Sequence, residues 1–421
     1  CRRTDWLVRE DDIKLTKLQA RQRRWMMISG ALAIFFTGYP HVWSVYQPYM
    51  MEQAGWSRGQ TSMCFYLALC IFVFGNIIGG RIQDKYDPRL VVFAGGWIST
   101  VGILLSAFLV VSSPLPIYFT YGVMQGAGQG MTYAAIISTA QKWFPGRTGF
   151  ASGLIVTANG LCGFFLAPLS RYLLEKGGPK LAFLVVGTAS AVAWILSSLF
   201  FRVPDPVWGQ EEETRMNQKG FNEDKKTRQY TASGMIRTKR FYFLLAIMFL
   251  GLLSYFIISP VSQSHQIDLG IPASIAVSAV MAGSLINAGA RLIFPALADK
   301  IGRIRCIRGV LVAAAAAMVV LSMSYSYAAV AAIVIMYGCY GGIMGIFPSF
   351  TSAVFGMEHS GENYGLVMLG IVFAALGAPM ITSIVVGKGY GMHTVFAVGA
   401  VFAIAAIVFV QLLKRELSNM E

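Results

Sequence analysis

The sequence predicts an all-α integral membrane protein, with twelve transmembrane helices in two pseudo-symmetric six-helix bundles. Three observations carry this. First, 56% of the 421 residues are apolar and 13% are charged, with a mean hydropathy of +0.59, whereas a soluble domain carries about 25% charged residues. Second, the apolar residues fall in runs of about 20, the length that crosses a bilayer core as a helix. Third, the two halves repeat each other's landmarks at a nearly constant offset. Asp84-Lys85 matches Asp299-Lys300, Tyr121-Gly122 matches Tyr337-Gly338, and Gly149 matches Gly365.

Taken in order, residues 1–24 are a basic segment without a cleavable apolar core, so no signal peptide is expected from them. Span 1 (25–48) carries Pro40 near its middle, where a missing N–H frees a backbone carbonyl and favours a kink. Span 2 (60–81) ends in the charged loop Arg81–Arg89, from which span 3 (89–111) leaves. Span 4 (115–141) and span 5 (148–174) are dense in glycine, which lets helices approach closely and slide. Span 6 (180–201) closes the first bundle, 25–201. Residues 202–239 are polar and of both signs (EEETRMNQKGFNEDKKTR) and read as a flexible cytoplasmic linker. The second bundle, 240–413, holds spans 7 (240–264), 8 (273–298), 9 (306–324), 10 (327–353), 11 (362–386) and 12 (393–413), and a short cytoplasmic tail, 414–421, follows.

The net charge of +14 would suit a nucleic-acid partner, but its distribution argues otherwise. Most Lys and Arg fall on one alternating set of connections, as the positive-inside bias requires. That places both termini in the cytoplasm of a multi-pass cell-membrane protein whose basic belt meets lipid headgroups. Six Cys and four His are scattered, and no CxxC pair occurs, so no metal, cofactor or disulfide framework is expected. The string GAGQG (126–130) lies inside a span with no strand before it, so it is not a dinucleotide fingerprint. No nucleophile–base pair appears, and an enzyme is not expected.

One charge stands apart. Arg291 lies deep in span 8, with no acidic residue or lysine in that run before Asp299 and Lys300. A charge within a bilayer is costly and usually faces a cavity. Eight residues separate Arg291 from Asp299, about 12 Å along a helix, too far for easy snorkelling. The guanidinium fork donates two parallel hydrogen bonds to a carboxylate and keeps its proton when desolvated. Asn287 sits one turn earlier on the same face and can orient it. Asn76 is its counterpart in the repeat, so the central charge is asymmetric. Other polar candidates are His41 in span 1, able to titrate near neutrality, and Tyr133, Tyr340 and Asn159. Gln125 and Gln129 read more as glue between helices.

The string Gly80-Arg81-Ile82-Gln83-Asp84-Lys85-Tyr86-Asp87-Pro88-Arg89 resembles the signature loop between helices 2 and 3 of the major facilitator superfamily, and Ala298-Asp299-Lys300-Ile301-Gly302-Arg303 resembles its second copy. Within that superfamily, GAGQGMTYA (126–134), KWFPGRTGFASG (142–153), NAGAR (287–291), IFPS (346–349) and ENYG (362–365) are similar to the oxalate/formate antiporter family and the related monocarboxylate transporters. The resemblance implies the major facilitator fold and alternating access around a central site, functional as a monomer. It puts Arg291 on the substrate-binding arginine of helix 8, Tyr133 and Tyr340 on cavity aromatics of helices 4 and 10, and His41 on an aromatic position of helix 1. It implies that Asp84 and Asp299 each face the first turn of a helix in the opposite half, where a carboxylate is favoured by the dipole. There they would latch the inner gate, with Lys85, Arg89, Lys300 and Arg303 expected to support the latch or to bind lipid headgroups. Two departures matter. Where the oxalate carriers place a helix 11 lysine, this chain has Ile371, and its late basic residue, Lys388, is near the far face. Where proton-coupled monocarboxylate transporters have an aspartate before the arginine, this chain has Asn287.

The expectation is therefore a secondary or facilitative transporter for small organic anions, chiefly monocarboxylates of the formate, lactate or pyruvate type. An oxalate-type dicarboxylate antiporter is the alternative, weakened by Ile371. A non-transporting sensor with a transporter fold is the alternative of another class, and the short polar linker counts against it.

Overall fold

The computed structural model describes residues 4–110, 113–204, 229–323 and 327–418, without the side chains of residues 4–17 and a few others, His41 among them. Among the described residues there is no strand. Nine helices there are long and apolar enough to cross a bilayer. One of them, Thr148–Phe200, is two crossings joined where Gly177 and Gly178 leave the helical region, Gly178 at φ +67°. Two more crossings are broken helices. Span 1 runs from Thr4–Phe36 through a tight turn at Tyr39–Val42 into Trp43–Ala54, with Pro40 starting the turn. Span 4 runs from Leu115–Ile117 through wide turns over Tyr118–Gln125 into Gly126–Trp143. Twelve crossings result.

Local signals set the boundaries. Ser57 and Gln60 form a reciprocal capping box at the start of span 2, satisfying backbone donors that have no partner within the helix. Asp87 accepts from the Arg89 amide at 2.9 Å and opens span 3, and Thr238 accepts from the Phe241 amide to open span 7. Large apolar side chains such as Ile78, Phe93, Phe165, Ile293 and Met380 are exposed. On spans whose backbone bonds are all internal, such a belt suits hydrocarbon.

The packing follows the repeat. Span 8 lies along span 5, and the start of span 11 lies along span 2. These two contacts exchange under the internal repeat, so both cross from one half to the other.

The last part of the 202–239 stretch departs from a flexible linker. Residues 205–228, which hold the run of alternating charges, lie outside the described residues. Residues 229–239 are folded onto the second half. The Tyr230 amide donates to Phe355 O at 2.9 Å, and Asn363 Nδ2 donates to Tyr230 O at 2.9 Å. The Arg240 guanidinium lies over the Tyr230 and Phe355 rings at 4.9 and 5.6 Å and donates to the Tyr230 hydroxyl. A single aromatic anchor with a cation on its face thus fixes residues 229–239, because anchoring depends on one well-placed side chain rather than on average polarity.

Candidate functional site

Arg291 is 2% exposed and turns inward instead of snorkelling. Its Nε donates to Asn287 Oδ1 at 3.1 Å, and its Nη1 donates to Asn159 Oδ1 at 2.6 Å. Asn159 Nδ2 donates to Thr37 Oγ1 at 3.0 Å, and that hydroxyl donates to Ile34 O. The chain of bonds runs from span 8 to span 5 to span 1, from one half into the other. Asn287 is placed by helix periodicity, and Thr37 directly follows the Thr4–Phe36 helix at the break in span 1. Among the described residues no carboxylate lies within ion-pair distance of Arg291. The guanidinium is therefore oriented by neutral acceptors with its charge uncompensated, which is unfavourable in a buried setting.

Aromatic side chains surround it. The guanidinium lies 5.4 Å from the Tyr340 ring centroid. Tyr340 is stacked on Tyr255, with centroids 4.1 Å apart and planes 10° from parallel, and Tyr255 meets Tyr337 edge-on. Tyr133 packs edge-on against Phe72 at 5.2 Å. Its hydroxyl lies within electrostatic reach of Arg291 and faces Tyr364 of span 11. Both phenols are buried, and neither hydroxyl makes a well-formed hydrogen bond. Thr37, Tyr255 and Tyr364 are additions that the sequence reading passed over. A tyrosine at a span end reads as an interface anchor, and the contact that reassigns Tyr364 is between halves.

Other candidates fall elsewhere. The His41 side chain lies outside the described residues, and its backbone belongs to the Tyr39–Val42 turn. Gln129 Nε2 donates to Phe36 O at 2.9 Å, tying span 4 to the broken end of span 1. Gln125 and Asn76 are buried with both amide atoms unpartnered. Ile371 is buried in the apolar core, and Lys388 is exposed at the end of span 11.

At the linker end of the molecule two carboxylates cross between halves. Asp299 accepts from the amides of Gly149 and Phe150 at 3.2 and 2.9 Å, at the first turn of span 5. Arg303 Nη2 bonds Asp299 at 3.4 Å and Thr148 Oγ1 at 3.0 Å. Asp84 accepts from the Glu362 amide at 3.3 Å, at the first turn of span 11, and from Gln83 Nε2. Arg81 meets Glu362 at 3.7 Å. Lys85 and Lys300 are exposed, and Arg89 serves span 3 through its amide. Burial pushes the Asp84 carboxyl up to about 6, against the opposing pull of the Glu362 amide, Lys142 and His359.

Between the two latches runs an uncharged seam. Gln83 Nε2 donates to Ser138 Oγ at 3.2 Å, Ser138 and Ser360 share a hydroxyl bond of 2.7 Å, and Ser352 donates to Gln141 Oε1 at 2.7 Å. The seam joins span 4 to spans 10 and 11 and borders a cavity lined by Ile137, Ser138, Gln141, Pro348, Ser360 and Tyr364. The two carboxylate contacts and the seam together join the two halves at the linker end.

Comparisons with known proteins fit this architecture. The profile of the Major Facilitator Superfamily matches residues 26–370. The oxalate:formate antiporter of Oxalobacter formigenes is 26% identical over 400 residues, 91% of each chain. Monocarboxylate transporter 2 of Meriones unguiculatus is 25% identical, over 81% of this chain and 73% of its own. Among solved structures, the Major Facilitator Superfamily transporter FucP in its outward conformation superposes with a TM-score of 0.69 at 12% identity, covering 93% of this chain and 98% of its own. That likeness speaks to the fold alone.

Proposed function

The chain belongs to the Major Facilitator Superfamily, and we propose that it carries small organic anions, chiefly monocarboxylates, across a cell membrane by alternating access, with Arg291 binding the carboxylate. The single observation that carries this reading is the state of Arg291: buried, oriented by two amide oxygens, and without a carboxylate partner among the described residues. A substrate carboxylate supplies the missing charge. Because an unpaired buried cation is unfavourable, loading lowers the cost of the occluded state through which the halves exchange, which couples the change of conformation to occupancy. The similarity to the oxalate:formate antiporter and to a monocarboxylate transporter supports the anion class. The apolar Ile371 supports a single negative charge, because a dianion would meet one cation only.

In this reading the linker end is cytoplasmic, and the conformation with both latches formed is closed to the cytoplasm. Asp84 and Asp299 release when the halves exchange and the linker end opens. The machinery is one of binding and gating rather than of bond chemistry.

The test is counterflow in proteoliposomes preloaded in turn with formate, acetate, lactate, pyruvate, oxalate and succinate, with Arg291→Ala and Arg291→Lys beside the wild type. A monocarboxylate is expected to drive uptake of its own label. Arg291→Ala is expected to lower that uptake about a hundredfold or more, since loss of one partner of a buried charge pair costs about 2–5 kcal/mol. Arg291→Lys should retain a fraction, having the charge without the fork. Preference for oxalate would overturn the argument from Ile371. No flux of any carboxylate from folded wild-type protein would overturn the anion-carrier reading and favour a sensor.

A further inference from the structure

We infer that the phenol pair Tyr133–Tyr364 completes the carboxylate site around Arg291, and that Tyr364 passes the occupancy of that site to the latch between spans 2 and 11. The inference rests on the anion-carrier reading above and names the residue that joins its two parts.

Tyr133 and Tyr364 are 2% and 3% exposed. Their hydroxyls face each other from spans 4 and 11, in opposite halves, and both lie within electrostatic reach of the guanidinium. The two hydroxyls lie within hydrogen-bonding reach of each other, and neither has a well-aligned partner. A buried hydroxyl without a well-aligned acceptor is unfavourable, and two that meet beside one buried cation describe a place for a shared acceptor. A carboxylate fits, since its oxygens accept from the guanidinium and from both phenols together. Neutral donors add hydrogen bonds without adding charge, so the site is completed for a monoanion where a second cation would have completed it for a dianion.

Tyr364 is also built into the gate. It lies in the eight-residue helix Ser360–Val367, and a tightened turn at Met368, where the Ile371 amide bonds the Met368 carbonyl at 2.8 Å, joins it to Leu369–Gly387. The first residues of that short helix carry the cross-half contacts. Ser360 bonds Ser138, the Glu362 amide donates to Asp84, and Asn363 holds Tyr230 O. The Tyr364 side chain also borders the cavity behind the seam. A substrate that draws the Tyr364 hydroxyl toward Arg291 tilts this first part of span 11 about the tightened turn at Met368, and the Glu362 amide moves with it. Occupancy at the centre thereby loosens the Asp84 latch.

The experiment uses Ile137→Cys, which lines the cavity, as a reporter of opening in the full-length carrier. Its labelling by a maleimide from the linker side is measured with and without formate, acetate, lactate and pyruvate, in an otherwise wild-type background and with Tyr364→Phe or Tyr133→Phe. In the otherwise wild-type background the transported anion should raise the labelling rate several-fold. Tyr364→Phe, which keeps the ring and the fold, should abolish that response and raise the KM for flux about tenfold. Tyr133→Phe should raise KM to a similar extent while the response persists at saturating anion. An anion response in Tyr364→Phe equal to that of wild type, with KM unchanged, overturns the inference and leaves the carrier reading standing. Absence of flux and of any response in the wild-type background overturns both.

Discussion

The Arg291 guanidinium is held by two amide oxygens and meets no carboxylate among the described residues, so it is oriented without being neutralised. Arg291 was legible in the sequence because a lone cation in an apolar run is a strong local signal, and Asn287 followed from helix periodicity. Thr37 and Tyr364 were not legible, since their roles arise from contacts between halves that no local pattern encodes. At Asp84 the same scale gives a pH dependence. Burial in the closed latch raises its carboxyl to about 6 from an ordinary value of 3.8, whereas in the open latch it is solvated. Between those values the closed form binds the proton and the open form does not, so proton uptake favours closure. Lowering the pH from 7 to 5 should therefore reduce the labelling of a cysteine at Ile137, and raising it should restore labelling. Asp84→Asn should flatten that dependence. A wild-type profile that rises on acidification would show that the hydrogen bonds lost on protonation outweigh burial.

The elements meet through glycine where the latches form. A Cβ on Gly149 would stand 2.5 Å from the Asp299 carboxylate, and one on Gly80 would run into the backbone of Gly361. Gly149→Ala must push span 5 away from span 8 or displace Asp299. Such overpacking costs about 1–3 kcal/mol, and here it falls on the closed state selectively. The expected outcome is a more open linker end, read as faster labelling of Ile137→Cys, together with a lower melting temperature. Unchanged labelling would mean that the Asp299 contact does not hold the gate. Most of this level was legible: twelve runs, their charged connections and the repeat were all in the sequence. The breaks were only partly so. Pro40 announces the turn in span 1, but the wide turns of Tyr118–Gln125 carry no proline and arise where span 4 packs against spans 2 and 3. The docking of residues 229–239 was hidden by their polar neighbours.

At the scale of the whole molecule, two halves of one repeat are joined at the linker end by a carboxylate latch on each side and a hydroxyl seam between them. The seam offers a direct test of motion. Ser138 Oγ and Ser360 Oγ are 2.7 Å apart, so Ser138→Cys with Ser360→Cys should form a disulfide on oxidation. Transport should stop when it forms and return on reduction, and each single variant should be insensitive to oxidant. Continued transport by the cross-linked carrier would mean that the halves do not separate along this seam. The solitary central arginine has an electrical consequence as well. Under the proposed binding of a monoanion at Arg291, one fixed positive charge and one bound negative charge sum to zero, so the loaded carrier should reorient without moving net charge through the membrane field. The empty carrier crosses that field with its guanidinium uncompensated, and a full unit charge responds by about 2.3 kcal/mol per 100 mV. Exchange of one monoanion for another, in which both strokes are loaded, should then be indifferent to membrane potential. Net flux, which requires the empty stroke, should be rectified by it.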